Sequence, residues 1–166
     1  ISEALADRGI DSEFVGGYRV TTTEAIPVVR EVLREHISAD IAARINFHHD
    51  MAVVLSGEDN ELFTAVRKGA QVDGVAVDLG HVGEVVGVNP DALHQLLGQG
   101  KIPVVSSLAP ELDSAAVLNV NADTAAAALA VALRATKLVL LTDVPGLYDK
   151  WPDTQSVVSS MTADEL

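Results

Sequence analysis

Three polar side chains recur at every second residue of the motif LNVNADT, which precedes an alanine-rich run. In an extended chain this alternation places Asn119, Asn121 and Asp123 on one face. The intervening Val120 and Ala122 would then point into the core. Amide and carboxylate groups beside the free N–H groups of a helix start can hold an anionic substrate. Because a helix N-cap needs one such residue, the triplet predicts a binding or catalytic site.

Three further polar pairs follow apolar runs of the kind that form buried strands. They are Ser56-Gly57, Ser106-Ser107 and Thr142-Asp143. Each pair alone is compatible with an ordinary polar turn. Because ligands of open α/β sheets bind beyond the carboxyl ends of the strands, we expect the three pairs to share a cleft with the triplet.

The elements that must position these residues alternate along the chain. Apolar periodicity predicts helices from Thr21–Thr23 to His36, from Ser38 to His48, from 89 to 97 and from 122 to 134. It predicts strands over 51–55, 102–105 and 138–141, with one or two β-hairpins over 63–88. Strand–helix–strand units with a hairpin insertion predict an α/β fold. The expected architecture is a three-layer α/β/α sandwich with a mostly parallel central sheet.

Composition narrows the classes of protein. The 166 residues correspond to about one domain, and the net charge of −13 argues against nucleic acid or an anionic membrane as the main partner. The absence of cysteine excludes a thiolate nucleophile and a zinc–thiolate site. No apolar run is long enough to span a bilayer and no signal peptide is visible. We therefore expect a cytoplasmic protein without a membrane partner.

Both ends of the sequence have the pattern of interrupted helices. The first residues read as the second half of a helix that stops at Gly9, and Thr162 and Glu165 have capping-box spacing with one residue after them. We expect the chain to be a fragment of a longer protein.

Four segments, in this order and spacing, resemble the acetylglutamate kinase family of the amino acid kinase superfamily. They are EFVGGYRVT at 13–21, GHVG at 80–83, LNVNAD at 118–123 and LTDVPGLY at 141–148. The first and third are the specific motifs, whereas GHVG alone would be weak. The stretch 147–153 further resembles the actinobacterial form of the family.

The resemblance implies transfer of the γ-phosphoryl group of ATP to the side-chain carboxylate of N-acetyl-L-glutamate, in arginine biosynthesis. Mg²⁺ would arrive with ATP and be held mainly by its phosphates. The family also implies a homodimer or a homohexamer. Positioning and neutralisation of negative charge supply most of the catalysis in such reactions.

The resemblance assigns roles to the polar residues. Arg19 matches the substrate-binding arginine, whose planar fork can hold a carboxylate through two hydrogen bonds. Asn119 matches a residue that hydrogen-bonds the substrate, and Asn121 lies beside it. Asp123 matches the catalytic aspartate. Because the attacking carboxylate is already ionised near neutral pH, we expect Asp123 to orient two lysines that lie near the ends of the family's full chain and are not identifiable here.

The resemblance also places a nucleotide-binding segment late in the chain. It comprises Thr142, Asp143, Val144, Pro145, Gly146, Leu147 and Tyr148. The single domain over 1–166 would thus divide into a substrate-binding part at about 1–120 and the start of a nucleotide-binding part at about 121–166. The hairpins of 72–88 would form a lid over acetylglutamate, with His81 a packing or turn residue.

Alternatives remain open at the level of sequence. Another amino acid kinase, such as glutamate 5-kinase, shares the fold, and a non-catalytic module could bind acetylglutamate or arginine without transferring phosphate. A nicotinamide-dependent enzyme is disfavoured because no Gly-x-Gly-x-x-Gly follows a strand. The cluster His48-His49-Asp50 is not expected to bind metal, because adjacent residues at a helix end point in different directions. We predict no protein-held metal.

Overall fold

The computed structural model describes residues 1–72, 74–150 and 152–165. Its helical elements are α1 (Ser2–Ala6), α2 (Ala25–Arg30), a π-helical segment (Glu31–Ser38), α3 (Ala39–Ile45), a 3₁₀ turn (Asp59–Glu61), α4 (Asp91–Gly98) and α5 (Ala122–Ala132). The strands are β1 (Phe14–Val15), β2 (Tyr18–Arg19), β3 (Ala52–Ser56), β4 (Phe63–Arg67), β5 (Ala70–Val72), β6 (Val75–Val77), β7 (Val82–Val88), β8 (Ile102–Ser106), β9 (Leu108–Pro110) and β10 (Val117–Val120).

A curled four-stranded sheet carries the third motif. Its strand order is β4-β7-β10-β9, with β7 and β10 parallel and the two outer pairs antiparallel. An isolated bridge joins Ala65 of β4 to Glu111, which follows β9. The two outer strands therefore meet at this point, which reduces the exposed sheet edge.

The second sheet consists of β3 and β8, which are parallel and in register so that Ser56 pairs with Ser106. The π-helical segment packs on both strands, α4 packs on β8, and α5 packs on β7 of the curled sheet. The predicted α/β fold is confirmed. The hairpin insertion is formed by β5 and β6, and Asp73, which lies between these two strands in the sequence, is outside the described residues.

The prediction of two separate helices between residues 21 and 48 is wrong. Helical structure runs without a break from Ala25 to Ile45, and Ser38 is buried within it instead of capping a second helix. No glycine or proline occurs between residues 31 and 45 to end the helix. The expected cap at its start is present, since Thr22 Oγ1 accepts a hydrogen bond from the Ala25 N–H at 3.2 Å.

Residues 138–141 do not form the predicted central strand. They have no regular secondary structure, and Leu141 is 94% exposed. A strand needs neighbours that satisfy its backbone hydrogen bonds, and none of the described strands pairs with this segment. Among the described residues, no helix combines the length and apolarity needed to cross a bilayer.

The main core lies between the curled sheet and helices α4 and α5. Phe63, Leu93, Leu118, Val120 and Ala125 belong to one buried cluster. The burial of Leu118 and Val120 directs the intervening residue of β10 away from the core, which positions the site described next.

Candidate active site

A cleft of about 250 Å³ brings the first and third motifs together. Its lining includes Arg19 from β2, Asn119 from β10 and Asn121 at the start of α5. Leu33 of the π-helical segment and Val82 of β7 complete two of its walls. In the sequence, Leu33 reads as an ordinary core residue on an apolar stripe, whereas Val82 belongs to the GHVG motif at 80–83.

Arg19 lines the cleft, and the groups that contact its charged guanidinium are neutral. Its guanidinium donates hydrogen bonds to the hydroxyls of Ser12 and, at 2.9 Å, Ser2, and it stacks over the Phe14 ring at 4.4 Å from the centroid. It forms no ion pair with any described residue. Partial burial lowers its pKa, yet an arginine remains charged. The surface salt bridge that would make Arg19 merely structural is therefore not formed, and its charge can meet an anionic ligand.

Asn119 occupies the half-buried position between two core residues of β10. Its backbone N–H donates to the His81 carbonyl at 2.8 Å. Its side-chain nitrogen Nδ2 makes a long hydrogen bond of 3.4 Å to Thr21 Oγ1, and Thr21 is fully buried. The hydrogen bond to Thr21 thus orients the side-chain amide of Asn119, which lines the cleft.

Asn121 is both the N-cap of α5 and a lining residue of the cleft. Its Oδ1 accepts a hydrogen bond from the Thr124 N–H at 3.0 Å, so the capping interpretation applies to this member of the triplet. The predicted alternation ends here. Ala122 is exposed and begins the helix instead of entering the core, because helical geometry replaces the two-residue repeat of the strand.

Asp123 lies in the first turn of α5. It is exposed, and it does not itself line the cleft, although Ala122 does. Within the part of the chain that is described, its carboxylate forms no ion pair. A carboxylate in the first turn is favourably placed relative to the helix dipole, and here it stands at the margin of the cleft.

A second cavity of about 220 Å³ adjoins the cleft and shares Leu33, Ser107 and Ala122 with it. Ser106 also lines this cavity, and its buried Oγ has no hydrogen-bond partner among the described residues. Of the polar pairs predicted to share the cleft, Ser106-Ser107 therefore reaches it, whereas Ser56 pairs with Ser106 in the sheet but lines neither the cleft nor the adjoining cavity.

The predicted nucleotide-binding segment lies outside the cleft. No residue of 142–148 contributes to the cleft's lining. Thr142 Oγ1 donates to the Val144 carbonyl at 2.7 Å, and Tyr148 pairs with Val157 in an isolated antiparallel bridge. The expectation that Thr142-Asp143 ends a strand beside the other polar pairs is wrong, because the segment before it is not a strand.

The cluster at residues 48–50 has local partners. The His48 ring packs edge-on against Phe47 with centroids 4.8 Å apart, and the Asp50 carboxylate accepts a hydrogen bond from Lys101 Nζ at 3.0 Å. The described residues contain no group of three or more histidine, aspartate or glutamate side chains arranged to hold a metal ion.

Comparison with known proteins extends over the whole chain. The model of the amino acid kinase family matches residues 1–166. The acetylglutamate kinase of Leifsonia xyli subsp. xyli is 61% identical over 98% of this chain and 55% of its own length. The acetylglutamate kinase of Salinispora tropica is 57% identical over 100% of this chain and 56% of its own length. These names confirm the resemblance recognised in the four motifs, and the chain spans little more than half the length of these relatives.

Two solved structures have a similar fold. The protein smu.665 from Streptococcus mutans UA159 superimposes with a TM-score of 0.76 and 26% identity, covering 89% of this chain and 58% of its own. The N-acetylglutamate synthase of Neisseria gonorrhoeae, complexed with coenzyme A and N-acetyl-glutamate, has a TM-score of 0.68 and 26% identity over 89% of this chain and 32% of its own. With the α/β sheets, the first and third motifs in one cleft and a family match from end to end, the chain belongs to the amino acid kinase family.

Proposed function

We propose that the full-length protein containing this chain transfers the γ-phosphoryl group of ATP to the side-chain carboxylate of N-acetyl-L-glutamate. The observation that carries the proposal is the cleft that combines Arg19, without an ion-pair partner among the described residues, with the amides of Asn119 and Asn121. The names of relatives at 57–61% identity support it. The product would be N-acetyl-L-glutamyl 5-phosphate, in arginine biosynthesis.

The cleft suits a small acid that carries an amide. The fork of Arg19 can bind the α-carboxylate through two parallel hydrogen bonds. Asn119 offers both a donor and an acceptor to the acetylamido end of the substrate. At Asn121 the side-chain oxygen caps α5, so its amide nitrogen is the group that would face the substrate.

Asp123 is proposed as the residue that organises the phosphoryl-transfer site. A carboxylate facing two anions would repel them, so its useful role is to hold the two lysines that the family supplies near the ends of its full chain. We place ATP along 142–148, in the second of two parts that divide near residue 120. Mg²⁺ would arrive with ATP and be held mainly by its phosphates. A cytoplasmic homodimer or homohexamer completes the proposal.

The test is turnover by the full-length protein. ADP formation should require N-acetyl-L-glutamate, and free glutamate at the same concentration should give little. Arg19→Ala should raise the KM for acetylglutamate strongly, whereas Arg44→Ala, which removes an exposed ion pair with Asp40, should not. Turnover of glutamate with no use of acetylglutamate would show that the protein is a different amino acid kinase.

A second candidate is a module that binds acetylglutamate or arginine without transferring phosphate. It is favoured by the similarity to N-acetylglutamate synthase structures, one with N-acetyl-glutamate and one with L-arginine. Calorimetry would show that this module binds acetylglutamate in the absence of ATP. An assay of ADP then separates the two candidates, because the module would produce no ADP when ATP is added.

A further inference from the structure

His81 links β10, which carries Asn119, to the segment that follows Arg19. Its backbone N–H donates to the Thr21 carbonyl at 2.6 Å, and its carbonyl accepts from the Asn119 N–H at 2.8 Å. Thr21 lies two residues after Arg19 and forms an isolated parallel bridge with Gly80. The peptide groups of one residue therefore connect the Arg19 side of the cleft to the Asn119 side.

The imidazole repeats this link with its two nitrogens. Nδ1 lies 3.0 Å from the Val117 carbonyl of β10, and Nε2 lies 3.3 Å from the hydroxyl of Thr23. Because a carbonyl can only accept, Nδ1 carries the hydrogen, and in the neutral ring Nε2 accepts from Thr23. The side chain and the backbone of His81 thus both connect the segment at residues 21–23 to β10.

The neighbourhood leaves little freedom for this arrangement to shift. Thr21 is fully buried, and its hydroxyl accepts the hydrogen bond from Asn119 Nδ2. A Cβ at Gly80 would overlap the Thr21 carbonyl, so the chain can approach this closely only with glycine before His81. The carbonyl of Gly80 is held in turn by Arg67 Nη1 at 3.0 Å.

His81 does not touch the cleft itself. It lines a different cavity of about 220 Å³, with Ile26, Pro27, Arg30 and residues 115–117. Any effect of the imidazole on a ligand in the Arg19 cleft must therefore pass through the strands that it connects.

We propose that His81 is a positioning residue that sets the separation of Arg19 and Asn119 across the acetylglutamate cleft. This inference rests on the proposed function and adds a determinant of substrate affinity outside the cleft. Because Arg19 and Asn119 bind parts of the substrate remote from the transferred group, their misplacement weakens ground-state and transition-state binding together. KM for acetylglutamate should then change more than kcat.

The test compares three variants of the full-length protein in steady-state kinetics. His81→Leu should raise the KM for acetylglutamate about tenfold, because the free energy of about one hydrogen bond is lost from substrate binding. The KM for ATP should stay unchanged. His81→Asn should restore most of the affinity, because its Nδ2 can donate to the Val117 carbonyl in place of Nδ1. Thr23→Val, which removes the exposed partner of Nε2 and leaves the histidine intact, should raise the same KM by a smaller factor.

His94→Leu is the matched control, since His94 is exposed on α4, and it should leave both KM values unchanged. Equal rises in both KM values for His81→Leu, or no rescue by His81→Asn, would overturn the assignment. If His81→Leu does not fold, an unchanged KM for acetylglutamate in Thr23→Val would also overturn the assignment. If the unaltered protein neither binds nor phosphorylates acetylglutamate, the proposed function fails, and this assignment fails with it.

Discussion

Asn121 shows how one residue can cap a helix and line a cleft at the same time. Its side-chain oxygen caps α5, and its position at the junction of β10 and α5 brings it to the wall of the cleft. A cap and a ligand-binding group are thus not exclusive interpretations of an asparagine at a helix start. Asp123, two residues later, has no structural partner of this kind among the described residues, and its proposed role in the chemistry rests on the match to the family's catalytic aspartate.

Asp123→Asn should lower kcat of the full-length protein by about 10²-fold, the typical cost of removing one preorganised electrostatic group. The exposed position predicts that the melting temperature stays close to that of the unaltered protein. Asp91→Asn is the matched control, because Asp91 occupies the first turn of α4 as Asp123 does in α5. Equal activity of the two variants would refute a role for Asp123 in the reaction.

At the scale of elements, close packing between strands constrains the loops beside the cleft. The chain passes from β3 into the 3₁₀ turn through Gly57, whose N–H donates to the Ser106 carbonyl at 3.0 Å. Two ion pairs hold this turn to the long helix, Arg30 with Glu58 and Arg34 with Asp59. The strand ends that border the cleft are therefore fixed from the helix side.

Gly57→Ala should destabilise the protein by about 3 kcal/mol, because a Cβ would overlap the Phe63 ring and the Leu108 carbonyl. Urea denaturation measures the difference. Gly98→Ala is the control, since nothing lies within 4 Å of a Cβ there, and it should change stability by less than about 1 kcal/mol. A similar small effect at both positions would show that the loop at Gly57 relaxes freely.

The curled sheet should give stability that depends on pH. Arg67 of β4 donates to both carboxylate oxygens of Glu111 at 2.8 and 3.3 Å. This hydrogen bonding, with smaller contributions from a hydrogen bond of Ser114 and the charge of Arg67, lowers the pKa of Glu111. A pKa lowered by folding means stability that is present at neutral pH and is lost as the pH falls through the lowered value.

Glu111→Gln should therefore destabilise the protein at pH 7, and the difference from the unaltered protein should shrink as the pH falls below the ordinary carboxyl range. Denaturation midpoints at several pH values measure this difference in stability. Arg67→Gln should lose the same pH-dependent part of the stability. A difference that stays constant with pH would mean that the ion pair contributes nothing and that the variants act through packing alone.

For the whole molecule, we propose that the 166 residues contain the acetylglutamate cleft and the start of the nucleotide-binding part. We expect these residues alone to produce little ADP, because the family's two phosphate-contacting lysines are not identifiable among them. The measurement is ADP formation by the 166-residue chain and by the full-length protein at equal molar concentration. Robust turnover by the 166 residues would contradict the role assigned to the lysines.

Sequence alone determined the α/β class, most of the elements and the polar residues Arg19, Asn119 and Asn121 of the cleft. The local apolar pattern is sufficient for β3, β8, α4 and α5, because the two strands are continuous apolar runs and the two helices carry apolar residues at helical spacing. The motif around Arg19 and the triplet were identified by residue type and order, although nothing in their spacing says that they meet.

Tertiary structure decided what depends on contacts distant in sequence. The continuity of residues 25–45 and the exposure of residues 138–141 depend on which strands and helices lie alongside, and local propensity does not report this. The link through His81 joins residues near 21, 81 and 119, so its hydrogen bonds exist only once the chain is folded. The sequence thus named the groups that can bind an acidic substrate, and the fold set the distances between them.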